Sequence, residues 1–403
     1  MSNIPKLRFP EFTDAWEKCK LGKIAIKVTE KNKDGIFQET LTNSAEFGVI
    51  SQRDFFDKDI SNPENLNGYY IVKPNDFVYN PRISNLAPVG PIKRNQLNRI
   101  GIMSPLYFIF RVSSNIDLDF LDSFFSTNLW HLFMKLNGDS GARADRIAIK
   151  DKIFMEMPIS FPTLSEQQKI GNLFKQLDRL ITLHKRKWDD VILLKKALLQ
   201  KMFPKNGSDF PEIRFPEFTD AWEKCKVGDF LEESRIEGTN GKIAKKLTVK
   251  LWGKGVIEKP EIYQGSQATN YYIRKVGQFI YGKLDFLNQA FGIIPAHLDG
   301  YESTLDSPAF DLSKNLNSDF FLYYVCRENF YLYQGIIANG SRKAKRIHTE
   351  TFFNMPLILP SSFSEQQKIG NLFKQLDRLI TLHKRQHEHY QLLKKALLQQ
   401  MFV

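Results

Sequence analysis

Two segments of this chain occur twice, and this repetition constrains the fold more than any other feature. RFPEFTDAWEKCK at residues 8–20 recurs unchanged at 214–226, and SEQQKIGNLFKQLDRLITLHKR at 165–186 recurs unchanged at 364–385. Internal repetition at a long period indicates a duplicated structural unit. A chain of 403 residues is long enough for two or more domains. We therefore predict two copies of one unit.

Two variable blocks, at 22–163 and 228–362, separate the repeated segments. The likeness between them is faint and rests on two pairs of segments: GYYIVKPNDFVYN at 68–80 with NYYIRKVGQFIYG at 270–282, and GARADRI at 141–147 with GSRKAKRI at 340–347. Duplication followed by drift is the simplest alternative, but it explains poorly why the flanks stayed identical. The pattern favours one scaffold with two different surfaces, suited to two related but unequal targets.

The repeated SEQQKIG sequence predicts the start of a long helix in each copy. Ser165 with Gln168, and Ser364 with Gln367, fit the pattern of a capping box. Apolar positions then recur every seven residues, at Ile170, Leu177, His184, Val191 and Leu198, and at Ile369, Leu376, His383, Tyr390 and Leu397, with a companion stripe of Leu173, Leu180 and Leu194. This period predicts a coiled coil. The two copies are expected to pair antiparallel within one chain; pairing between two chains of a homodimer is the alternative.

The variable blocks have the pattern of mixed α and β structure. Alternating runs at 69–79, 106–112, 271–281 and 355–359 predict strands, and aromatic-rich stretches at 120–136 and 320–336 predict helices. The predicted fold class is α+β, with two similar domains separated by a pair of long antiparallel coiled-coil helices. The predicted division is an opening segment (1–21), a first variable domain (22–163), a first long helix (164–204), a linker with the repeated opening segment (205–227), a second variable domain (228–362) and a second long helix (363–403).

The composition argues against several protein classes. Three cysteines and no CxxC pair are too few for a disulfide framework or a cysteine zinc site, so we expect a reducing, cytoplasmic location. The first residues lack the apolar region of a signal peptide, and no run of about 18 apolar residues predicts a membrane span. A net charge of +12 favours an anionic partner, although most of the excess positive charge falls on the two long helices.

Sequence motifs of catalysis are missing. The chain has no GxxxxGK[ST] phosphate loop, and Asn80-Pro81-Arg82 does not match the Asn/Asp-Pro-Pro-aromatic segment of a DNA methyltransferase. Its histidines have no cysteine or glutamate partners at metal-ligand spacing. We predict no catalytic residue, no metal site and no cofactor bound by this chain.

The order of two variable blocks and two helices opening with Ser-Glu-Gln-Gln-Lys-Ile, together with the RFPEF segments, resembles the DNA-specificity subunits of type I restriction–modification enzymes. The resemblance covers essentially the whole chain. It implies that each variable block is a target-recognition domain for one half of a split DNA site, and that the helix pair fixes the gap. It also implies that two modification subunits dock on the constant regions, and that restriction subunits complete the complex. S-adenosylmethionine, ATP and Mg would be bound by those partner subunits.

Lysine and arginine side chains are the natural candidates for DNA contact, because they bind phosphates and guanine edges. The segments at 141–146 and 340–346 stand out, since each combines a glycine with several cations; a solvated basic loop is the alternative. The predicted DNA-binding residues are Arg82, Lys93, Arg94, Arg99, Arg143 and Arg146 in the first block, and Lys283, Arg342, Lys343, Lys345 and Arg346 in the second.

Two other functions compete with sequence reading. A structural adaptor would join proteins without salt-dependent DNA binding. A self-contained DNA methyltransferase or nuclease would be active as the purified chain, with a metal or S-adenosylmethionine. The diverged blocks favour the sequence reader over the adaptor, and the missing motifs disfavour the enzyme.

Overall fold

The computed structural model describes residues 3–58, 61–139, 145–205, 207–260, 266–337 and 346–403. The chain divides into two units. Unit 1 comprises Met1–His184 with Arg385–Val403, and unit 2 comprises Lys185–Lys384. Each unit therefore contains one variable block and a part of each long helix.

The first half of the chain runs from the opening segment to the end of the first long helix. Its elements are β1 (Glu17–Lys20), α1 (Leu21–Ile24), β2 (Ala25–Lys27), β3 (Leu41–Ser44), β4 (Gly48–Ser51), α2 (Gln52–Phe56), β5 (Tyr70–Val72), β6 (Phe77–Tyr79), β7 (Ile92–Arg94), β8 (Gly101–Met103), β9 (Phe108–Val112), α3 (Leu118–Phe125), α4 (His131–Asn137), α5 (Asp151–Phe154), β10 (Pro158–Phe161) and α6 (Leu164–Lys201). A 3-10 helix at Pro63–Gly68 precedes β5.

The second half repeats this order with small changes. Its elements are β11 (Glu223–Lys226), β12 (Leu231–Ser234), β13 (Glu237–Asn240), β14 (Leu247–Val249), β15 (Val256–Glu258), β16 (Asn270–Ile273), β17 (Phe279–Tyr281), β18 (Phe291–Ile293), β19 (Glu302–Ser303), β20 (Ala309–Leu312), α7 (Ser318–Val325), α8 (Glu328–Ile337), α9 (Thr349–Phe353), β21 (Pro356–Leu359) and α10 (Phe363–Met401). Short 3-10 helices lie at Val227–Asp229, Phe286–Asn288 and Ala296–Leu298.

Each unit is built on a four-stranded antiparallel sheet with the same connectivity. The strand order is β2-β9-β6-β7 in unit 1 and β12-β20-β17-β18 in unit 2. The repeated EKCK strand pairs, in both units, with the strand that precedes the long helix; Cys19 lies opposite Ile159, and Cys225 opposite Leu357. The faint likeness of the variable blocks therefore reflects a shared scaffold.

The two long helices pair antiparallel within each unit. In unit 1, Phe174 of α6 packs against Phe402 just beyond α10, with ring centroids 5.8 Å apart, and Lys394 donates to Asp178. In unit 2 the equivalent contacts join Phe203 to Phe373, at 6.0 Å, and Lys195 to Asp377, at 2.6 Å. Partner numbers fall as residue numbers rise, so the pairing is antiparallel and lies within one chain. The predicted α+β class with paired long helices is confirmed.

Within each unit the RFPEF segment binds the SEQQ segment. This contact explains why both segments are present in each copy of the repeat. Arg8 of the RFPEF segment donates twice to Glu166 of the SEQQ segment, at 2.7 Å each, and the Glu166 side chain is fully buried. Arg214 and Glu365 make the same bidentate pair in unit 2, at 2.7 and 2.8 Å. Bidentate arginine–carboxylate pairs are strong and directional. Each pair ties an opening segment to the start of a long helix.

The glutamine that follows each buried glutamate fixes the start of the adjacent short helix. Gln167 accepts from the backbone N–H of Asp117 at 2.9 Å and donates to the carbonyl oxygen of Pro162. Gln366 accepts from the Asn317 N–H at the same distance and donates to the carbonyl oxygen of Pro360. These contacts use both ends of the amide, so the motif is structural in both copies.

Some sequence-based expectations about the helices were wrong in detail. Both helices begin one residue before the serine predicted to cap them, and in α10 the hydroxyl of Ser362 accepts from the Glu365 N–H, at 3.4 Å. Leu194, predicted to lie on the companion stripe, is exposed. At this end of α6 the helix face that is partly buried contains Trp188 and Lys195 instead.

Two predicted segments divide into shorter elements. The run at 69–79 forms β5 and β6, because Asn75 adopts a positive φ of 71° and turns the chain between them. The stretch at 120–136 forms α3 and α4, because the N–H of Ser126 bonds back into α3 and ends it. The division into six segments stays a prediction. None of the described helices is long and apolar enough to cross a bilayer.

Candidate nucleic-acid interface

The two segments that are alike between the variable blocks meet in space at the end of the central strand. In unit 1 the hydroxyl of Tyr79, the last residue of β6, donates to the backbone carbonyls of Ile147, at 3.0 Å, and Val89, at 3.1 Å. The Ile147 N–H donates to the carbonyl oxygen of Pro81 at 2.9 Å. The segment after residue 144 is therefore anchored beside the end of β6.

Unit 2 repeats this anchor with different neighbours. The hydroxyl of Tyr281, the last residue of β17, donates to the carbonyl oxygen of Ile347 at 2.9 Å, and the Ile347 N–H donates to the Lys283 carbonyl at 3.0 Å. Burial raises the pKa of both Tyr79 and Tyr281. Both hydroxyls therefore stay protonated and act as donors at any physiological pH.

The anchor brings two predicted DNA-binding residues together in unit 1. Arg82 and Arg146 form an isolated antiparallel β-bridge. Arg82 is exposed, and Arg146 is partly exposed with a weak contact to Asp145, at 4.0 Å. Both residues line a cleft with a volume of about 830 Å³. Two guanidinium groups at the rim of a cleft make it attractive to an anionic ligand.

In unit 2 the cations beside this anchor are Lys283 and Arg346. Arg346 takes the place of Arg146, whereas Lys283 takes the place of Pro81, and Arg82 corresponds to Leu284. Arg346 contacts the carboxylate of Asp306 at 3.3 Å, and the Lys283 N–H donates to the Asp306 carbonyl oxygen at 2.9 Å. Burial lowers the pKa of Lys283, and nearby Glu233 and Asp306 oppose that effect. The two units thus share one matching arginine, Arg146 and Arg346, and differ in the position that carries the second cation.

The other predicted residues are engaged elsewhere or lie outside the described part of the chain. Arg94 is mostly buried and forms an ion pair with Asp119. Arg99 forms a bidentate ion pair with Glu39, at 2.7–3.0 Å. Lys93 is half-buried in β7. Arg143, Arg342, Lys343 and Lys345 lie outside the described residues. For all eleven residues, DNA contact stays a prediction, and the geometry favours Arg82, Arg146, Lys283 and Arg346.

Over the ranges described, His, Cys, Asp and Glu side chains form no group of three or more that could hold a metal ion.

The family model for the type I restriction modification DNA specificity domain matches the chain twice, at residues 14–192 and 219–389. Together the matches cover most of the chain, one in each half. The chain belongs to this family of DNA-specificity subunits.

A curated relative and a solved structure agree with this assignment. The specificity subunit of the type I restriction enzyme MjaVIII of Methanocaldococcus jannaschii is 24% identical over 426 residues, covering 97% of this chain and 92% of the relative. The crystal structure of the type I restriction–modification S subunit from M. genitalium superposes with a TM-score of 0.59 and 13% identity, covering 99% of each chain. The latter similarity shows a shared fold.

As a specificity subunit, the chain is the non-catalytic part of a type I restriction–modification system, and its partners are DNA and the methylase and restriction subunits. The predicted family and the non-enzymatic role are confirmed. Each family match contains one variable block, so this specificity subunit carries two recognition domains in one chain.

The unit 1 cleft contains polar and aromatic residues that the sequence did not single out. They include the exposed Asn65, Phe55 and Phe56. Asn43 and Gln52 also line the cleft, but both are buried and donate their amide N–H groups to backbone carbonyls. Amide side chains can pair with adenine edges, and aromatic rings can stack on bases. The adjacent Phe55 and Phe56, on a helix of five residues, are the one sequence signal that could have indicated an exposed aromatic site.

Proposed function

We propose that each unit reads one half of a split DNA site through the surface around its cation pair. The observation that supports this proposal most directly is that each unit places two cations beside the same tyrosine anchor, Arg82 and Arg146 in unit 1 and Lys283 and Arg346 in unit 2. The pairs are anchored by the same tyrosine contact, yet the side chains differ. A shared scaffold with different side chains is what two unequal half-sites require.

Genome-wide adenine methylation tests this proposal in cells that express the chain with its modification subunit. The double variant Arg82→Ala/Arg146→Ala is expected to relax or abolish only one half of the methylated motif, and Lys283→Ala/Arg346→Ala only the other half. Affinity for the wild-type motif should fall about 10- to 100-fold for each double variant. Because each double variant removes two cations from the DNA surface, the slope of log K against log salt concentration should become less negative by roughly 2.

Lys73→Ala is the matched control, because Lys73 is a cation of the same block that pairs with Glu30 and is not among the predicted DNA-binding residues. Its methylated motif should equal that of the wild type. If both double variants methylate the wild-type motif with wild-type efficiency, these cation pairs do not read DNA. If a stable complex methylates nothing, the adaptor function gains support instead.

We also propose that two modification subunits dock on exposed leucines of the long helices. Unit 1 exposes Leu183, Leu392 and Leu393, and unit 2 exposes the equivalent residues Leu382, Leu193 and Leu194. Leu392 and Leu393 are neighbours on α10, as Leu193 and Leu194 are on α6, and patches of exposed apolar side chains commonly mark protein interfaces. Because the repeat supplies the same leucines to each unit, it offers two equal docking sites.

The stoichiometry of the complex tests this docking. Leu392→Glu, in unit 1, is expected to leave one modification subunit bound, and Leu193→Glu should do the same in unit 2. The double variant should bind none. Multi-angle light scattering of the purified complexes measures the count. Gln200→Glu, elsewhere on the exposed helix surface, is the control and should keep both subunits.

The remaining parts of the proposed function involve the long helices and the partner subunits. The paired helices, which contribute to both units, would set the spacing between the half-sites. Modification subunits would bind S-adenosylmethionine and methylate adenine, and restriction subunits would use ATP and Mg for translocation and cleavage. The complex would act in the cytoplasm, where its DNA substrate lies.

A further inference from the structure

The two units share a second exposed feature, which is a short β-hairpin with an aromatic residue at its tip. The hairpins are β3–β4 in unit 1 and β14–β15 in unit 2. Their equivalence follows from the topology, because each is preceded by a parallel bridge to the same region of its unit, Thr40 to Ile102 and Lys246 to Glu302. No residue type at the tips is repeated, so the sequence repeat alone does not reveal this correspondence.

The tip of the unit 1 hairpin belongs to a small exposed aromatic cluster. Phe47 is 61% exposed, and its ring centroid lies 6.2 Å from that of Phe55. Phe55 packs against Phe56 at 4.6 Å. Phe55 and Phe56 line the same cleft as Arg82 and Arg146. The rings and the cation pair of unit 1 therefore belong to one surface.

The tip of the unit 2 hairpin is built differently but presents the same combination. Trp252 is 56% exposed, and the exposed Lys250 and Lys254 flank it. The backbone N–H of Trp252 donates to the carbonyl oxygen of Asn288 at 2.7 Å. Asn288 belongs to the same segment after β17 as Lys283, so the tip is tied to that segment. Trp252 also has a φ of +62°, a conformation that bulky residues rarely adopt. The backbone contact holds this strained residue in place.

These features favour a nucleic-acid partner over a protein partner. Exposed aromatic rings beside cations and amide side chains provide base stacking and phosphate contact together. A protein interface would instead deplete lysine around its apolar centre, whereas here two lysines flank the tryptophan. We infer that both hairpin tips contact the bases of the DNA, each placing its aromatic ring against a base step within the half-site read by its own unit.

This inference rests on the proposed function and is tested with the full chain in complex with its modification subunits. The probe is a duplex carrying the split motif that the wild-type complex methylates. Trp252→Ala is expected to weaken binding about 5- to 100-fold, with lost discrimination at one half only, and Trp252→Phe should restore much of it. Phe47→Ala should act in the same way on the other half. In the wild type, tryptophan fluorescence should be quenched by the duplex, and this quenching should diminish in Trp252→Phe.

The control is Phe210→Ala, which removes a ring of similar exposure, 53%, from the linker outside the hairpins. It should bind the duplex like the wild type. The inference is overturned if the hairpin variants also bind and discriminate like the wild type. It is equally overturned if they lose modification subunits rather than DNA, because the tips would then contact protein. If the wild-type complex methylates no split motif, the proposed function itself is overturned. That failure is distinguishable from failure of the inference, because it is measured on the wild type alone.

Discussion

Replacing Arg8 by alanine is expected to lower the stability of unit 1 by about 3–5 kcal/mol, because it leaves the carboxylate of Glu166 buried without its ion partner. The Glu166 side chain is fully buried, and both of its oxygens accept from the Arg8 guanidinium. Removing one partner of a buried pair costs far more than the pair contributes as a whole. Denaturant unfolding of the purified chain, followed by circular dichroism, measures the change.

Three comparisons separate this effect from general damage. Lys169→Ala breaks an exposed pair with Glu11 next to the same motif and should cost far less than Arg8→Ala, because solvent screens an exposed ion pair. Arg214→Ala should reproduce the loss in unit 2. In the double variant Arg8→Met/Glu166→Met, most of the stability should return, because no charge remains buried. Equal, small effects of Arg8→Ala and Lys169→Ala would contradict a structural role for the buried pair.

The same pair shows what the sequence could and could not indicate. The identity of both repeats was visible, and the seven-residue period predicted paired helices. Neither pattern shows that Arg8 meets Glu166, because the two residues lie 158 positions apart and only the tertiary fold brings them together. The helix starts were misplaced by one residue because serine at 165 and at 364 fits a cap locally, while the packed helix begins earlier.

The candidate interface was harder to predict than the fold. Cation identity selected Arg94 and Arg82 alike, although the first is bound to Asp119 and the second lies exposed at a cleft. Burial and ion pairing depend on distant strands and helices, which residue type does not specify. Tyr79 and Tyr281 were visible in the faint repeat, but their anchoring hydrogen bonds required the folded backbone.

Inserting one heptad into both long helices is expected to move methylation to a motif with unchanged half-sites and a longer spacer. The insertions would follow His184 in α6 and Lys384 in α10, where each helix passes from one unit to the other. A whole heptad keeps the seven-residue period of the apolar positions in both helices, so the helix contacts within each unit are preserved. Seven helical residues add about 10.5 Å, or roughly 3 base pairs at ~3.4 Å each. Methylation of the original motif should fall by about 1000-fold, the range of specific over non-specific recognition.

The new motif should be methylated less efficiently than the original one. Three added base pairs also rotate the second half-site about the DNA axis by roughly 100°, since one turn takes about 10.5 base pairs. Twisting the DNA to restore the alignment costs free energy. A heptad inserted into α6 alone is the control: it shifts one seam against the other, and methylation of every motif should be lost. Unchanged spacing after insertion into both helices would mean that the helix pair does not set the gap.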